Sequence, residues 1–424
     1  MRTKARQGSF AIGHISWGLL LTLLACMKKA HRRWSVVVAT VLAAGSLLVV
    51  ATQTATSSTP SSISTQQVRN SAHRAHVSGV LVAAVTSNGK GHKPPPEPAF
   101  NGTPPLFFRG RAGCVSPPCL GGNVLMTAST GPLVVVPIFW NPAGWPMTSS
   151  YKNLITSYLA GVAKMSGQTQ NVYSVADEYS GNNGQIHYNI QLGPVINDTD
   201  PLPADGCTLE AKDTAGIYAD GSGYNACLDD AQLQAEVNSV TAANSLPRDL
   251  THIYVLYLPK GVESCFFAGS TTNGNTNACT INNEPTAAYC AYHNNQANGG
   301  VYANLAYPIY ASPTGFTCSS DARFPVVQSP NGNPDADTEI SPTSHEIIEA
   351  ITDPDGETGW GDSSGNEIGD DCAYIFGRTR GAPGAFFNQV INGGHFLTQT
   401  EFSNDVFNAS GGQAGCVQGA SQEH

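Results

Sequence analysis

The sequence predicts an α/β domain, a mixed sheet with flanking helices braced by disulfides. Three observations predict it. Two runs of consecutive apolar residues, 133–140 and 252–258, read as strands buried on both faces. Each is followed or preceded by a segment with helical patterning, 151–165 and 229–244, as expected where helices cover a sheet. Ten cysteines, Cys114, Cys119, Cys207, Cys227, Cys265, Cys279, Cys290, Cys318, Cys372 and Cys416, lie beyond residue 100, and an even number in an exported chain argues for up to five disulfides.

The elements follow in chain order. Residues 1–55 contain seven Lys and Arg and no acidic residue. Met27-Lys28-Lys29-Ala30-His31-Arg32-Arg33-Trp34 followed by the apolar stretch 35–50 has the basic and hydrophobic regions of a secretory signal, with cleavage expected after Ala51 or Ala55 and Met27 a candidate start. Two alternatives are an uncleaved anchor, although this run is short against the roughly 20 residues a membrane helix needs, and a lipid-carrying Cys26 in Leu23-Leu24-Ala25-Cys26. Membrane contact is therefore expected only through that terminus. Residues 56–105, rich in Ser, Thr, Gln and Pro and including Lys93-Pro94-Pro95-Pro96-Glu97-Pro98, are expected to be a flexible linker or propeptide.

The domain proper is expected over 106–424. Strands are expected at 287–293 and 301–310 besides the two long runs. The Asn-, Thr- and Gly-rich loop 265–290 reads as disulfide-held. Proximity in sequence suggests pairing Cys114 with Cys119 and Cys207 with Cys227. A cysteine-ligated structural zinc is the less favoured alternative, because no paired C-x-x-C occurs.

Charged residues are only 12% of the chain, so its acidic clusters stand out. The foremost is Ser344-His345-Glu346-Ile347-Ile348-Glu349-Ala350-Ile351-Thr352-Asp353-Pro354. Residues four apart on a helix share a face about 6 Å apart, so His345 and Glu349 can grip one cation. Glu346 lies beside them, where the Glu of an H-E-x-x-H helix serves as general base for water. A carboxylate binds zinc at nearly the distance of an imidazole, so Glu349 is an allowed ligand that makes the site harder and more anionic. The helix is expected to begin at Ser341, with Pro342 in its first turn and Thr343 and Glu346 at capping-box spacing, and to stop at Pro354. Ile347, Ile348 and Ile351 supply its apolar face. On an exposed helix the same residues would merely be solvated charges.

A second acidic stretch, Gly365-Asn366-Glu367-Ile368-Gly369-Asp370-Asp371-Cys372, offers a third ligand. Asn366-Glu367 resembles the Asn-Glu pair of thermolysin-like zincins, and Glu367 lies 18 positions beyond Glu349. Asp353, Asp370 and Asp371 are rival ligands, with turn formation as their ordinary role. His395 and Tyr374 are candidates for stabilising an oxyanion. Their bland alternative is a satisfied surface or core group. The helix after a long loop and a mixed sheet is the order of a zincin-like domain.

The strand 134–140 after Gly131-Pro132, the strand before Gly261-Val262-Glu263-Ser264-Cys265, and Thr352-Asp353-Pro354 together resemble the plant Exordium, or phosphate-induced, protein family and its microbial relatives over 131–416. The resemblance implies a cell-wall or apoplast setting tied to growth. It also implies a fold that serves without metal, since the plant members lack the His-Glu pair that this chain carries.

Two functions are expected. The first is a secreted Zn²⁺ peptidase acting on extracellular protein or peptide, with His345, Glu349 and Glu367 as ligands, Glu346 as general base and Asp353 orienting the site. The second is a non-catalytic extracellular binding protein whose Asp353, Asp355, Glu357, Asp362, Glu367, Asp370 and Asp371 hold Ca²⁺. His345 argues against calcium. Beyond residue 55 the chain carries 14 basic and 31 acidic groups, a balance of −17, which speaks against nucleic acid as a partner. Serine-triad catalysis is disfavoured because no G-x-S-x-G accompanies the histidines.

Overall fold

A strand apolar on both faces needs cover on both, and the long apolar runs receive it. The computed structural model describes residues 77–78 and 105–421, apart from 116, 209–216, 268–277, 281–288 and 312–316. Its main sheet has seven strands: β1 (Val77–Ser78), β2 (Leu133–Trp140), β3 (Ile190–Leu192), β4 (Ile196–Asp198), β5 (His252–Tyr257), β6 (Ala291–Asn295) and β7 (Val301–Leu305). Their order is β1-β6-β7-β5-β2-β3, with β4 pairing the far end of β2. The sheet is mixed: β6 runs antiparallel to β1 and β7, while β7, β5, β2, β3 and β4 are paired in parallel.

Helices α1 (Ser149–Lys164) and α3 (Pro334–Thr352) pack with Val135, Phe139, Ile253, Val255, Ala291 and Ala303 in one core. Helix α2 (Asp230–Ala243) packs with Val136, Ile138, Trp140, Tyr254 and Leu256 in a second. Alternation along each strand separates the two sets. The α1 and α2 helices start where their caps dictate, at Thr148, which accepts from the Tyr151 N–H, and at Asp229, which forms a capping box with Gln232.

The third helix departs from expectation. It begins at Pro334 with Asn333 as its cap, so Ser341 is no cap and Pro342 lies in the interior. An interior proline removes one backbone bond and costs about 3 kcal/mol. Burial offsets this. Ile340, Ile347, Ile348 and Ile351 are all fully buried, and each such side chain contributes about 1.5–3 kcal/mol. Strand β7 ends at Leu305 rather than at 310, just short of Pro308, which has no N–H for a ladder. Strand β6 starts at Ala291, and 281–288 lie outside the described residues.

Five disulfides join all ten cysteines: Cys114–Cys119 and Cys207–Cys227 as expected, then Cys265–Cys279, Cys290–Cys318 and Cys372–Cys416. The signal or anchor expected over 1–55 lies outside the described residues, as does most of the linker expected over 56–105. Within that linker Val77–Ser78 is a short edge strand on Tyr292 and Ala291. No helix among the described residues is long and apolar enough to cross a membrane.

Candidate metal centre

Three elements converge on the inner face of α3. The helix presents His345, Glu346 and Glu349, all fully buried, because its Ile side draws it onto the sheet and carries the polar residues inward with it. Strand β6 alternates Ala291, His293 and Asn295 toward α3, placing His293 opposite these residues. The loop after α3 brings Glu367 and Asp370, and the short strand Glu401–Phe402 brings Glu401. His293, Glu367 and Glu401 have no solvent exposure, whereas Asp370 retains 15% of its side-chain exposure. The disulfide at Cys290 lies three residues before His293, and that at Cys372 follows Asp370 by two, so both suppliers of the site are covalently tied down.

His345 Nε2 is 2.9 Å from Glu349 Oε1 and 3.7 Å from Asp370 Oδ1. It nevertheless has no hydrogen bond, since the close approach to Glu349 is not aligned for one. The other ring nitrogen, Nδ1, is held by the side-chain amide of Gln399, which also donates to the Gly369 carbonyl at 3.2 Å. Glu349 Oε1 accepts from the Asp370 N–H at 3.0 Å, while its Oε2 has no hydrogen bond and lies 3.8 Å from His293 Nδ1.

His293 is oriented from behind. Its Nε2 lies 2.9 Å from the backbone carbonyl of Asp353, which can only accept, so Nε2 carries the proton. In the neutral ring Nδ1 then turns a lone pair toward Glu346 Oε2, 3.1 Å away. Acceptors facing acceptors in a buried space require a proton or a cation between them. Burial raises the carboxyls of Glu349, Asp370, Glu367 and Glu401, with Glu367 pushed up to about 7 and neighbouring carboxylates adding to the shift in Glu349, Asp370 and Glu401. Burial first, and then the neighbouring His293, lowers the imidazole of His345 to about 3, so the ring is neutral. Two groups have ligand atoms within 4.8 Å of one another: His293, Glu349 and Glu367, and His345, Glu346 and Glu349. Imidazole with carboxylate suits zinc and its first-row neighbours better than calcium.

The remaining expected site residues lie elsewhere or act differently. Asp353 contributes its backbone carbonyl, while its carboxylate accepts from the Gly359 N–H at 2.8 Å and lies 3.4 Å from Arg109 Nη1. Asp371 accepts from Asn366 Nδ2 at 3.2 Å, and burial pushes its carboxyl up to about 8. Asp355 and Asp362 accept N–H groups of Glu357, Thr358, Ser364 and Asn366 and serve the turns between 353 and 366, so they are committed without calcium. Burial acts to raise Asp355, yet hydrogen bonds from Thr358 and the Leu120 N–H bring it below its ordinary value. Glu357 accepts from the Val115 N–H at 2.6 Å.

Two expectations are corrected. His395 is exposed, stacked flat on Phe387 with ring centroids 3.9 Å apart, and is not brought into the buried cluster. Tyr374 is partly buried, with its hydroxyl donating to the Thr317 carbonyl at 3.0 Å. That hydroxyl is committed to structure. Reasoning from sequence missed His293, Glu401 and Gln399. The one signal for His293 was a polar residue on the helix-facing register of a buried strand, which also suits a satisfied core histidine. Glu401 and Gln399 carried no spacing signal at all.

A small cleft adjoins the centre, lined by Ser341, Gln399, Tyr374, Phe376 and Leu397. Gly369 has a sharper role. A Cβ there would overlap the His345 ring, which Gln399 already holds in place. Gly369→Ala is expected to weaken metal binding about 10- to 100-fold by turning the imidazole, as measured by competition with a chromophoric chelator.

Comparison with protein-family models, curated proteins and solved structures finds no match in any of the three.

Proposed function

We propose that this chain is a secreted metal-dependent hydrolase acting on peptides, with Zn²⁺ as the resident ion and a zincin-like use of α3. The observation that carries this reading is the buried cluster itself: His345 Nε2 and Glu349 Oε2 lack hydrogen bonds although each lies within 4 Å of another ligand-type group. A bound zinc ion would polarise a carbonyl and ease deprotonation of water.

The chain's own residues do the rest. His345, Glu349, His293 and Glu367 would hold the ion. Gln399 orients the His345 ring and the Asp353 carbonyl orients His293. Glu346, beside these ligands on α3, would accept the proton from water and return it to the leaving amine. Five disulfides support an oxidising compartment, and with it the secretory reading of the N-terminus.

One observation favours a second reading. Both histidines and four of the carboxylates have no solvent exposure, which suits a structural metal in a non-catalytic, Exordium-like cell-wall protein.

The test is metal analysis of the purified chain, followed by exposure to a peptide library with and without chelator. The hydrolase reading expects near-stoichiometric zinc and cleavage that stops on chelation and returns with zinc. Stoichiometric metal with no cleavage, and unfolding on chelation, would establish the structural role instead.

A further inference from the structure

We infer that the centre holds two divalent cations side by side, bridged by the carboxylate of Glu349. This goes beyond the single zinc of the proposed hydrolase and rests on that reading only in taking the cluster to be a metal site.

The two oxygens of Glu349 face different imidazoles. Oε1 faces His345 Nε2 at 2.9 Å, whereas Oε2 faces His293 Nδ1 at 3.8 Å. Each oxygen therefore has its own imidazole. Near the first stands Asp370, 3.7 Å from His345 Nε2; with the second imidazole stands Glu367, its Oε1 3.8 Å from His293 Nε2, in a ligand-sized group with His293 and Glu349. These are two ligand sets sharing one carboxylate. In two-metal hydrolases a shared carboxylate spans ions about 3.5–4 Å apart.

Charge supplies the second argument. Glu346, Glu349, Glu367, Asp370 and Glu401 put five carboxylates in or against the cluster. One divalent ion would balance two of those charges, and two ions would balance four. Glu401 is the independent witness. It is fully buried on a different element, neither of its oxygens has a hydrogen bond, and it stands within electrostatic reach of Asp370 and Glu346. A single ion held by His345, Glu349, His293 and Glu367 is already balanced by its two carboxylate ligands and leaves Glu401 with no counter-charge. A second ion raises the positive charge of the site from two to four against these five carboxylates.

Mn²⁺ is the probe, because its paramagnetism reports a neighbouring ion independently of activity. The chain is loaded with Mn²⁺ and freed of excess by gel filtration. Metal is counted by mass spectrometry, and the spectrum is recorded by electron paramagnetic resonance. Two ions per chain with an exchange-coupled signal are expected. His345→Ala and His293→Ala should each retain one ion with an isolated six-line spectrum, and Glu349→Gln should lose the coupling. One ion per chain in the unaltered protein, with an isolated spectrum, would overturn the pair while leaving a mononuclear metalloprotein intact. No bound ion, from either Mn²⁺ or Zn²⁺, would overturn the metal reading and the pair with it. The count and spectrum of the unaltered protein decide the matter even if a variant fails to fold.

Discussion

Replacing Glu346 with Gln is expected to lower kcat for peptide hydrolysis by about 10²- to 10⁴-fold, the usual worth of a positioned general base, while bound metal remains unchanged. Glutamine preserves the length of the side chain and can still meet His293, whose Nδ1 lies 3.1 Å from Glu346 Oε2, but it cannot take up a proton at neutral pH. The paired measurements are kcat on a cleaved peptide and metal content of the same preparation. Loss of metal along with activity would make Glu346 a ligand rather than a base. Activity at the level of the unaltered protein would remove it from the mechanism.

The metal-free protein is expected to lose stability as pH rises from about 4 to 7 and beyond, and metal is expected to restore it. The sign follows from the direction of the shifts. Burial raises Glu349, Asp370 and Glu401, and raises Glu367 to about 7, so these groups hold protons in the folded state that the unfolded chain has already released. Their contribution is complete below the ordinary carboxylate range and is lost as pH climbs through the folded values. For Glu367 alone, a rise from 4.5 to about 7 corresponds to about 3 kcal/mol. His345 opposes this. Its lowered value makes its contribution complete above about 6.5 and lost as pH falls toward 3, but it is one group against four.

A cation takes the place of the protons, so the stabilisation it gives should grow with pH. The measurement is the difference in Tm between zinc-loaded and chelated protein at pH 5, 6, 7 and 8. A difference that is flat or shrinks with rising pH would contradict a cluster of buried carboxylates held together by metal.

Legibility in the sequence depended on whether a feature was local. Strands β2 and β5 and helices α1 and α2 were readable because apolar runs, periodicity and caps such as Asp229 with Gln232 lie within one element. His345, Glu346 and Glu349 were readable because a helix dictates which residues share a face. The start of α3 was not. Pro342 reads as a beginning, and only the burial of Ile340, Ile347, Ile348 and Ile351 explains why the helix runs through it.

His293 and Glu401 lie 52 positions before and 56 positions after His345. No spacing rule connects them. Their meeting is decided by strand order, which sets β6 under α3, and by the disulfide-tied segments that return Asp370 and Glu401 to the same point. The sequence by itself determined an α/β scaffold and a helix able to offer one imidazole and two carboxylates. Tertiary structure alone decided that these would be buried against a second histidine and further carboxylates, because burial and long-range pairing are properties of the packed chain and turn solvated charges into groups that require a proton or a cation.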